Sequence, residues 1–255
     1  MALDLLMLED YPTPTAFRLR HYGWENPAVT FGYSQPYAEV RAVVPTAIEE
    51  VIRRPTGGGV VDHRADWTYA LVIPAGHPLA RAQVAAPYRL VHTALANALR
   101  SLGQDSLLQK AEGRLQIADY RLQMADGGRM AEGTGLIADG SGQGAEGRDT
   151  RARVYAAIAQ CFVDPSPDDI MSRTGLKIAG AALKRNRHGL LLQGSVARAA
   201  APHVHDWKPL PALFAGQLAE LLSLSVATPS ALPFPTETIA RSRAHFADAA
   251  WNRRR

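Results

Sequence analysis

The sequence predicts an α+β fold in which a mixed or antiparallel sheet packs with helices and a short helical segment follows at the C-terminus. Three observations lead to this class. Apolar and β-branched runs bounded by glycine or proline come first, a long amphipathic helix follows, and a second group of strands precedes two apolar-patterned helices. The chain has 255 residues, of which 47% are hydrophobic, and this is enough for one sizeable core.

The individual elements are predicted from periodicity and from their boundaries. Apolar spacing predicts helices over Ala2–Glu9 and Ala85–Leu102, and Gly103 ends the second of them. The other predicted elements are strands at Ala28–Gly32, Glu50–Arg54 and Thr68–Ile73, a helix or strand at Val154–Phe162, a hairpin of Leu176–Ala182 and Leu190–Val196, and helices at Pro211–Leu224 and Thr236–Trp251.

A glycine-rich segment interrupts this order at about residues 111–151. A triplet of an apolar residue, alanine and an acid recurs there every six or seven residues, as a heptad coiled coil would require. Each glycine inside a helix costs about 1 kcal/mol relative to alanine, so a repeat expansion inserted in a surface loop is the better interpretation. We therefore predict a main domain over residues 1–210 that carries this insert, and a helical C-terminal segment over residues 211–255.

Composition and charge exclude several classes of protein. The formal net charge is +4, and outside Arg253–Arg255 no basic block occurs, so nucleic acid is not an expected partner. No apolar run approaches the roughly 20 residues of a membrane-spanning helix, and the opening MALDLLMLED lacks the basic start of a signal peptide. Cys161 is the only cysteine and cannot form an intramolecular disulfide, so we expect a protein of the reducing cytoplasm.

A glycine loop follows the second predicted strand. In the segment RRPTGGGVVDH, three consecutive glycines let the backbone approach a ligand closely with its N–H groups available. The two arginines before the loop, Arg53 and Arg54, could hold a carboxylate or phosphate through paired hydrogen bonds. No Lys-Ser/Thr pair follows at the spacing of a Walker motif. For the glycines alone, a tight hairpin with positive φ is the alternative.

Two further side chains are candidates for chemistry. Lys177 lies in a predicted strand beside small residues such as Gly180, which leaves room for a carbonyl or phosphate; a solvated lysine on an edge strand is the alternative. Cys161 precedes a proline-rich turn, where basic residues brought close by the fold could activate its thiol. A lone cysteine is otherwise a small buried apolar side chain. His203 and His205 lack a third ligand nearby, so no metal site is expected.

These motifs together resemble the lipoate-protein ligase A and octanoyltransferase family, whose catalytic domain is shared with biotin protein ligases. The resemblance rests on RRPTGGGVVDH, WTYALVIP, CFVDPSPDDI and GLKIAGAALKRNRHGLLLQGSV, which occur in the family's order. MALDLLMLE is similar to the family's first helix, and FADAAWNRRR resembles the end of the cysteine-dependent octanoyltransferases. The resemblance covers nearly the whole chain except about residues 111–151, and it implies the biotin/lipoate ligase-like fold.

The resemblance implies acyl transfer onto a lysine. Lys177 matches the family's lysine that contacts the acyl carbonyl, and Cys161 in CFVDPS matches the nucleophile of the octanoyltransferases, so both are expected to be catalytic. The residues expected to bind the substrate are Arg53, Arg54, Thr56, Gly57, Gly58, Gly59, His63, Gly180, Gln193 and Gly194. The expected acceptors are lipoyl domains, in the E2 subunits of 2-oxoacid dehydrogenases or in the glycine cleavage H protein. An acyl carrier protein is the expected donor.

Three functions remain open from the sequence. A transferase would take octanoate or lipoate from a carrier-protein thioester onto Cys161 and pass it on without a cofactor. An ATP- and Mg-dependent ligase would form an acyl-adenylate and need no cysteine; Gly59 agrees with the ligases, since the transferase branch has arginine there. A non-catalytic relative would only bind acyl groups or lipoyl domains. This third possibility is motivated by Gln193-Gly194, where the family has His-Gly, and by the absence of the customary leading strand.

Overall fold

A computed structural model describes residues 1–109, 165–229 and 231–254. The predicted insert and the element predicted at Val154–Phe162 lie outside the described residues. The described elements, in chain order, are α1 (Ala2–Glu9), β1 (Arg18–Tyr22), β2 (Ala28–Phe31), α2 (Tyr37–Arg41), β3 (Glu50–Arg53), β4 (Val61–Asp62), β5 (Asp66–Pro74), α3 (Ala85–Ser101), β6 (Leu107–Leu108), β7 (Ile170–Met171), β8 (Lys177–Asn186), β9 (Gly189–Ala197), α4 (Leu210–Leu222), α5 (Thr236–Ala247) and α6 (Ala249–Arg253).

The larger sheet is antiparallel, with the strand order β1-β5-β9-β8-β7-β6. Its central strands β5 and β9 are buried along almost their whole length, which explains the continuous apolar runs in both. Alternate side chains face opposite sides of the sheet. Leu71 and Leu192 pack in the core with α3 and α4, whereas Val72 and Leu191 pack against α1. The sheet therefore has helices on both faces.

The smaller sheet has the order β3-β2-β4 and is mixed. Strand β2 runs parallel to β3 and antiparallel to β4. Val29, Phe31 and Val51 form its core with Val40 and Val44 from the segment around α2. The loop that connects β3 to β4 is the glycine loop, so this sheet supplies one side of the site described below. An α+β fold with mixed and antiparallel sheets is thus confirmed.

Several elements differ from the sequence-based prediction. The predicted helix Thr236–Trp251 is two helices, because Asp248 is extended (ψ 131°) and its carboxylate caps the second helix by accepting from the Ala250 N–H at 2.9 Å. Strands β1, β4, β6 and β7 and helix α2 were not predicted. Each spans five residues or fewer, which is too short for a periodic pattern to distinguish it from a loop.

The C-terminal helices pack directly on the N-terminal elements. Helix α4 packs on α3, α5 on α1, and α6 on β3. Phe214 of α4 is fully buried and contacts the ring of Tyr69 edge-on, with 5.2 Å between ring centroids. In the described ranges, no helix is both long enough and apolar enough to cross a membrane.

Candidate active site

A cavity opens where the glycine loop meets strands β8 and β9. It is lined by residues from both sheets, so that side chains far apart in the sequence share one wall. The lining residues are Met1, Thr30, Arg54, Gly58, Gly59, Val61, His63, Thr68, Lys177, Gly180, Ala181, Ala182, Gln193, Gly194 and Ser195. Eight of the twelve residues that the sequence analysis assigned to the site are therefore in the lining: Arg54, Gly58, Gly59, His63, Lys177, Gly180, Gln193 and Gly194.

The glycine loop packs closely against the end of β2. A Cβ atom at Gly32 would lie 1.9 Å from the carbonyl oxygen of Gly58, so only glycine fits there, and Gly58 itself has φ +83°. The Arg54 guanidinium donates to the carbonyls of Gly57 and Gly59 at 2.9 and 2.8 Å. Arg54 therefore holds the loop in shape from the side of the cavity that it lines.

Arg53 does not reach the cavity, contrary to the expectation that both arginines hold the substrate. Its guanidinium is buried and donates to five backbone carbonyls. These carbonyls belong to Tyr33, Gln35, Trp251, Asn252 and Arg254, at 2.5 to 3.2 Å. All donors of the side chain are engaged by the protein itself. Arg53 therefore fastens the C-terminal segment to the strand that leads into the glycine loop.

His63 belongs to a buried polar network at one end of the cavity. Its Nδ1–H donates to the Asp66 carboxylate at 2.6 Å, and its Nε2 lies 2.7 Å from the Thr30 hydroxyl, which also accepts from Arg54 at 2.8 Å. Trp24 stacks on the imidazole with ring centroids 4.3 Å apart. Asp66 therefore orients the imidazole, and the network ties His63 to the arginine that holds the glycine loop.

Asp66 was not predicted, although it accepts hydrogen bonds from three side chains. Besides His63, the hydroxyls of Thr68 and Ser195 donate to its carboxylate. Its position three residues after His63 is a weak signal that the sequence does offer. Ser195 gives no comparable signal, because it is brought to Asp66 only by the pairing of β5 with β9.

Lys177 lies in the wall formed by β8. Its ammonium is 2.7 Å from the Asp169 carboxylate, and both side chains are nearly buried. Gly180 makes this arrangement possible, because a Cβ there would lie 2.8 Å from Cε of Lys177. Burial, and secondarily the charge of Asp169, raise the pKa of Tyr88 to about 12, so its hydroxyl stays protonated and donates to the Ala181 carbonyl at 2.9 Å. The result is a positioned cation that faces the cavity.

Gln193 connects the cavity to helix α1. Its amide accepts from the Thr56 hydroxyl at 2.9 Å and donates to the Asp4 carboxylate at 2.7 Å. Burial by itself would raise the pKa of Asp4, but the N-terminal ammonium and Arg20 outweigh it and hold the pKa below its ordinary value. Hydrogen bonds from Gln193 and Tyr22 act in the same direction. Thr56 is not in the lining, and its hydrogen bond holds the Gln193 amide that is.

Gly194 is required by packing, because a Cβ there would lie 2.2 to 2.4 Å from atoms of the Tyr69 ring. Cys161 lies outside the described residues, four positions before Pro165. The site therefore has a cation in one wall, a backbone-rich loop opposite it and a buried histidine network. This combination suits a substrate whose carbonyl oxygen develops negative charge during reaction.

Comparison with known proteins places these features in a family context. Residues 1–200 match the sequence model of the family described as lipoyl protein ligase A/B catalytic domain. Two similar relatives are named octanoyltransferase LipM. The one from Kyrpidia tusciae is 28% identical, over 70% of this chain and 53% of its own length. The one from Halalkalibacterium halodurans is 33% identical, over 42% of this chain and 40% of its own length. The chain spans about half the length, or less, of these relatives.

Solved structures with the same fold are distant in sequence. One is lipoate-protein ligase A bound with ATP, with a TM-score of 0.61 and 16% identity, covering 99% of this chain and 92% of that one. Another is the bipartite lipoate protein ligase of Thermoplasma acidophilum, described with its E2 lipoyl domain, with a TM-score of 0.60 and 15% identity, covering 99% and 89%. At such low identity these likenesses establish the fold alone.

Proposed function

The chain belongs to the lipoyl protein ligase A/B catalytic-domain family, and on this premise we propose that it is an acyltransferase of protein lipoylation. It moves an octanoyl or lipoyl group from a thioester to the lysine of a lipoyl domain. The names of the similar relatives support octanoyl transfer. The structural observation that most supports the proposal is Lys177, which is nearly buried and is held by Asp169 in the cavity wall beside Gly180.

Lys177 supplies the electrostatic part of the mechanism. When a nucleophile attacks a thioester or an acyl-enzyme, negative charge develops on the carbonyl oxygen, and a positioned ammonium stabilises it. Asp169 holds the ammonium at a fixed place, so little reorganisation is needed during the reaction. Gly58 and Gly59 of the glycine loop also line the cavity, and their backbone N–H groups are the proposed holders of the polar end of the acyl substrate.

Cys161 is the proposed nucleophile, on the basis of the resemblance of CFVDPS to the octanoyltransferase motif. Its thiolate attacks the donor thioester, a new thioester forms on the enzyme, and the carrier leaves as a thiolate. The neutral amine of the acceptor lysine then attacks this acyl-enzyme, the amide forms and the Cys161 thiolate is released; the proton lost by the amine is the one that the carrier thiolate takes up through solvent. No ATP, metal or other cofactor takes part in this sequence. A thiolate nucleophile needs a reducing compartment, so we assign the reaction to the cytoplasm.

The proposed partners are an acyl carrier protein as donor and lipoyl domains as acceptors, in E2 subunits or the glycine cleavage H protein. The Thermoplasma neighbour, which is described with its E2 lipoyl domain, supports this class of acceptor. The net charge of +4 suits acidic partners of either kind. We do not propose nucleic acid or a membrane as a partner.

A second candidate is an ATP- and Mg-dependent ligase, which would activate free octanoate or lipoate as an adenylate. Gly59 at the third position of the loop and the fold shared with an ATP-bound ligase favour it. The third possibility is a protein that binds acyl groups or lipoyl domains without reaction, and the residue that motivates it in the site is Gln193. In the structure Gln193 is bonded to Thr56 and Asp4, which is compatible with a catalytic site.

One experiment separates the three. The full chain is incubated with octanoyl carrier protein and an apo lipoyl domain without ATP, and the acceptor is weighed by mass spectrometry. We expect octanoylation, an acyl-enzyme of matching mass when the acceptor is left out, and the loss of both with Cys161→Ala. Arg198→Glu, on the surface beyond β9, serves as the matched control.

Each other outcome has a definite meaning. Transfer that survives Cys161→Ala would exclude the covalent mechanism. Product that forms only with ATP, Mg and free octanoate would identify the ligase. No product under either condition, together with binding of the lipoyl domain, would identify the non-catalytic relative.

A further inference from the structure

A cluster of positive charge begins two residues along β8 from Ala182, which lines the cavity. We call it the cationic rim and define it as Tyr33, Lys184 and Arg254. Lys184 Nζ is 5.7 Å, and the Arg254 guanidinium carbon 3.8 Å, from the centroid of the Tyr33 ring, and Tyr33 is 43% exposed. Neither cation forms an ion pair with any carboxylate in the described ranges 1–109, 165–229 and 231–254. Within those ranges, the rim therefore presents two cations on an aromatic base without a carboxylate paired to either.

The rim is fixed at two points, one in the glycine loop and one in the strand that leads into it. The Tyr33 N–H donates to the Thr56 carbonyl at 2.9 Å, and Arg53 holds the backbone carbonyl of Arg254 at 2.8 Å. The Arg254 side chain is further steadied by the indole of Trp251, at 4.3 Å from its ring centroid. A rim held in this way is pre-organised for a ligand, because its side chains lose little freedom on binding.

Strand β8 connects the rim to the reacting end of the cavity. Gly180, Ala182 and Lys184 alternate along it and face the same side. Gly180 lies against the Lys177 ammonium and Ala182 against Gly58. At about 3.3 Å per residue, the backbone of Lys184 lies roughly 13 Å from that of Gly180. On this face of β8, only the small side chain of Ala182 lies between the two ends, and each end carries a cation.

A cation at each end of this face of β8 suits the donor better than the acceptor, because the donor has a polar group at each end of its arm. A carrier-protein thioester has its acyl carbonyl at one end of an extended pantetheine arm and a phosphodiester at the other. The acceptor lysine reaches the cavity on an alkyl stem that contains no phosphate. We propose that the cationic rim binds the phosphodiester of a phosphopantetheine arm and is thereby the docking surface for an acidic acyl carrier protein. This inference rests on the function proposed above.

The test uses Lys184→Glu with Arg254→Glu, alone and combined. Three donors are compared: octanoyl carrier protein, octanoyl-phosphopantetheine and octanoyl-pantetheine, which lacks the phosphate. The double variant should raise KM at least about tenfold for the first two donors, with kcat and the KM for the lipoyl domain unchanged. The KM for octanoyl-pantetheine should stay the same. Because the two cations of the rim are only half-buried, the wild-type preference for phosphorylated donors should also weaken with salt.

Arg198→Glu is the matched control. Arg198 is an exposed cation that also stacks on an aromatic ring, that of Trp207 at 5.3 Å, and it follows the opposite end of the β8–β9 hairpin. It should leave all three donors unaffected. Lys184→Met and Arg254→Gln, which keep the side-chain stems, repeat the measurement without charge reversal, and thermal unfolding checks each variant.

A binding measurement makes the inference independent of turnover. Holo and apo carrier protein, which differ only in the phosphopantetheine arm, are titrated into the full chain. We expect tighter binding of the holo form in the wild type and loss of this preference in the double variant, even if no transfer occurs. Any of four results would overturn the proposal. The wild type could bind holo and apo carrier protein equally, or Arg198→Glu could raise KM as much as the double variant does. The double variant could also raise the KM for octanoyl-pantetheine as much as for the phosphorylated donors, or raise only the KM for the lipoyl domain.

Discussion

Replacing Gly180 with alanine should reduce activity without reducing stability. The added Cβ would lie 2.8 Å from Cε of Lys177, 3.1 Å from its Nζ and 3.1 Å from Oδ1 of Asp169. All three atoms are at the ends of side chains that can rotate, and Gly180 has no positive φ, so the backbone can stay in place. The free energy of unfolding should therefore change by less than about 1 kcal/mol.

The substitution acts on the rate because it displaces the Lys177 ammonium. An ordinary contact between carbon atoms is about 3.5 to 4.0 Å, so Cε must move by roughly 0.7 to 1.2 Å. A displacement of about 1 Å in a positioned group costs on the order of 100-fold in rate, which corresponds to about 2.7 kcal/mol in the activation free energy. We expect kcat/KM for octanoyl transfer to fall by this factor.

The assay is single-turnover transfer to an apo lipoyl domain, combined with denaturant unfolding of the same preparation. Gly216→Ala is the matched control, since Gly216 is exposed on α4 and nothing lies within 4 Å of an added Cβ. It should gain about 1 kcal/mol of helix stability and keep its activity. If Gly180→Ala retains activity within threefold, or loses more than about 2 kcal/mol of stability, the argument that Lys177 acts through its exact position is refuted.

Three other substitutions test the supports of the site. Gly194→Ala forces a Cβ against the buried Tyr69 ring and should cost about 1 to 3 kcal/mol of unfolding free energy; an unchanged denaturant midpoint would contradict this. Asp4 has a lowered pKa in the folded state, so its stabilising effect is complete above its unfolded pKa of about 3.9 and is lost as the pH falls through its folded pKa. Asp4→Asn should therefore make the free energy of unfolding less dependent on pH below about pH 4. Parallel plots of this free energy against pH for the variant and the wild type would exclude the stabilising role of Asp4. Arg53→Lys offers three donors where five carbonyls accept, and should speed proteolysis within residues 249–254; an unaltered cleavage rate would argue against the role of Arg53 as a fastener.

The long elements could be predicted from the sequence because burial imposes a pattern on them. Helix α3 ends within one residue of its prediction, since its buried face repeats at helical spacing and Gly103 follows. Strands β5 and β9 are recognisable as apolar runs because both faces of the sheet are covered. The division of the strands into two sheets could not be predicted, because it depends on pairings between segments far apart in the chain.

The candidate site could be predicted only where its residues lie in one motif. The glycine loop, His63 and Lys177 stand in distinctive local sequences. Asp66 and Asp169 do not, since a single carboxylate beside a loop is common, and each acquires its role only when the fold brings a partner to it. The cationic rim is still less visible, because its three members come from three separate segments.

Arg53 and Arg54 show this limit most clearly. Adjacent residues at the end of an extended strand point to opposite faces, so only one of the pair can line the cavity. Arg54 turns to Thr30 and the loop carbonyls, whereas Arg53 turns to carbonyls of the C-terminal segment, about 200 positions later. Those acceptors are backbone groups that every residue type carries, so they leave no mark in the sequence. Two neighbouring arginines therefore have different roles: Arg54 shapes the loop that lines the cavity, and Arg53 holds the segment that carries Arg254 against strand β3.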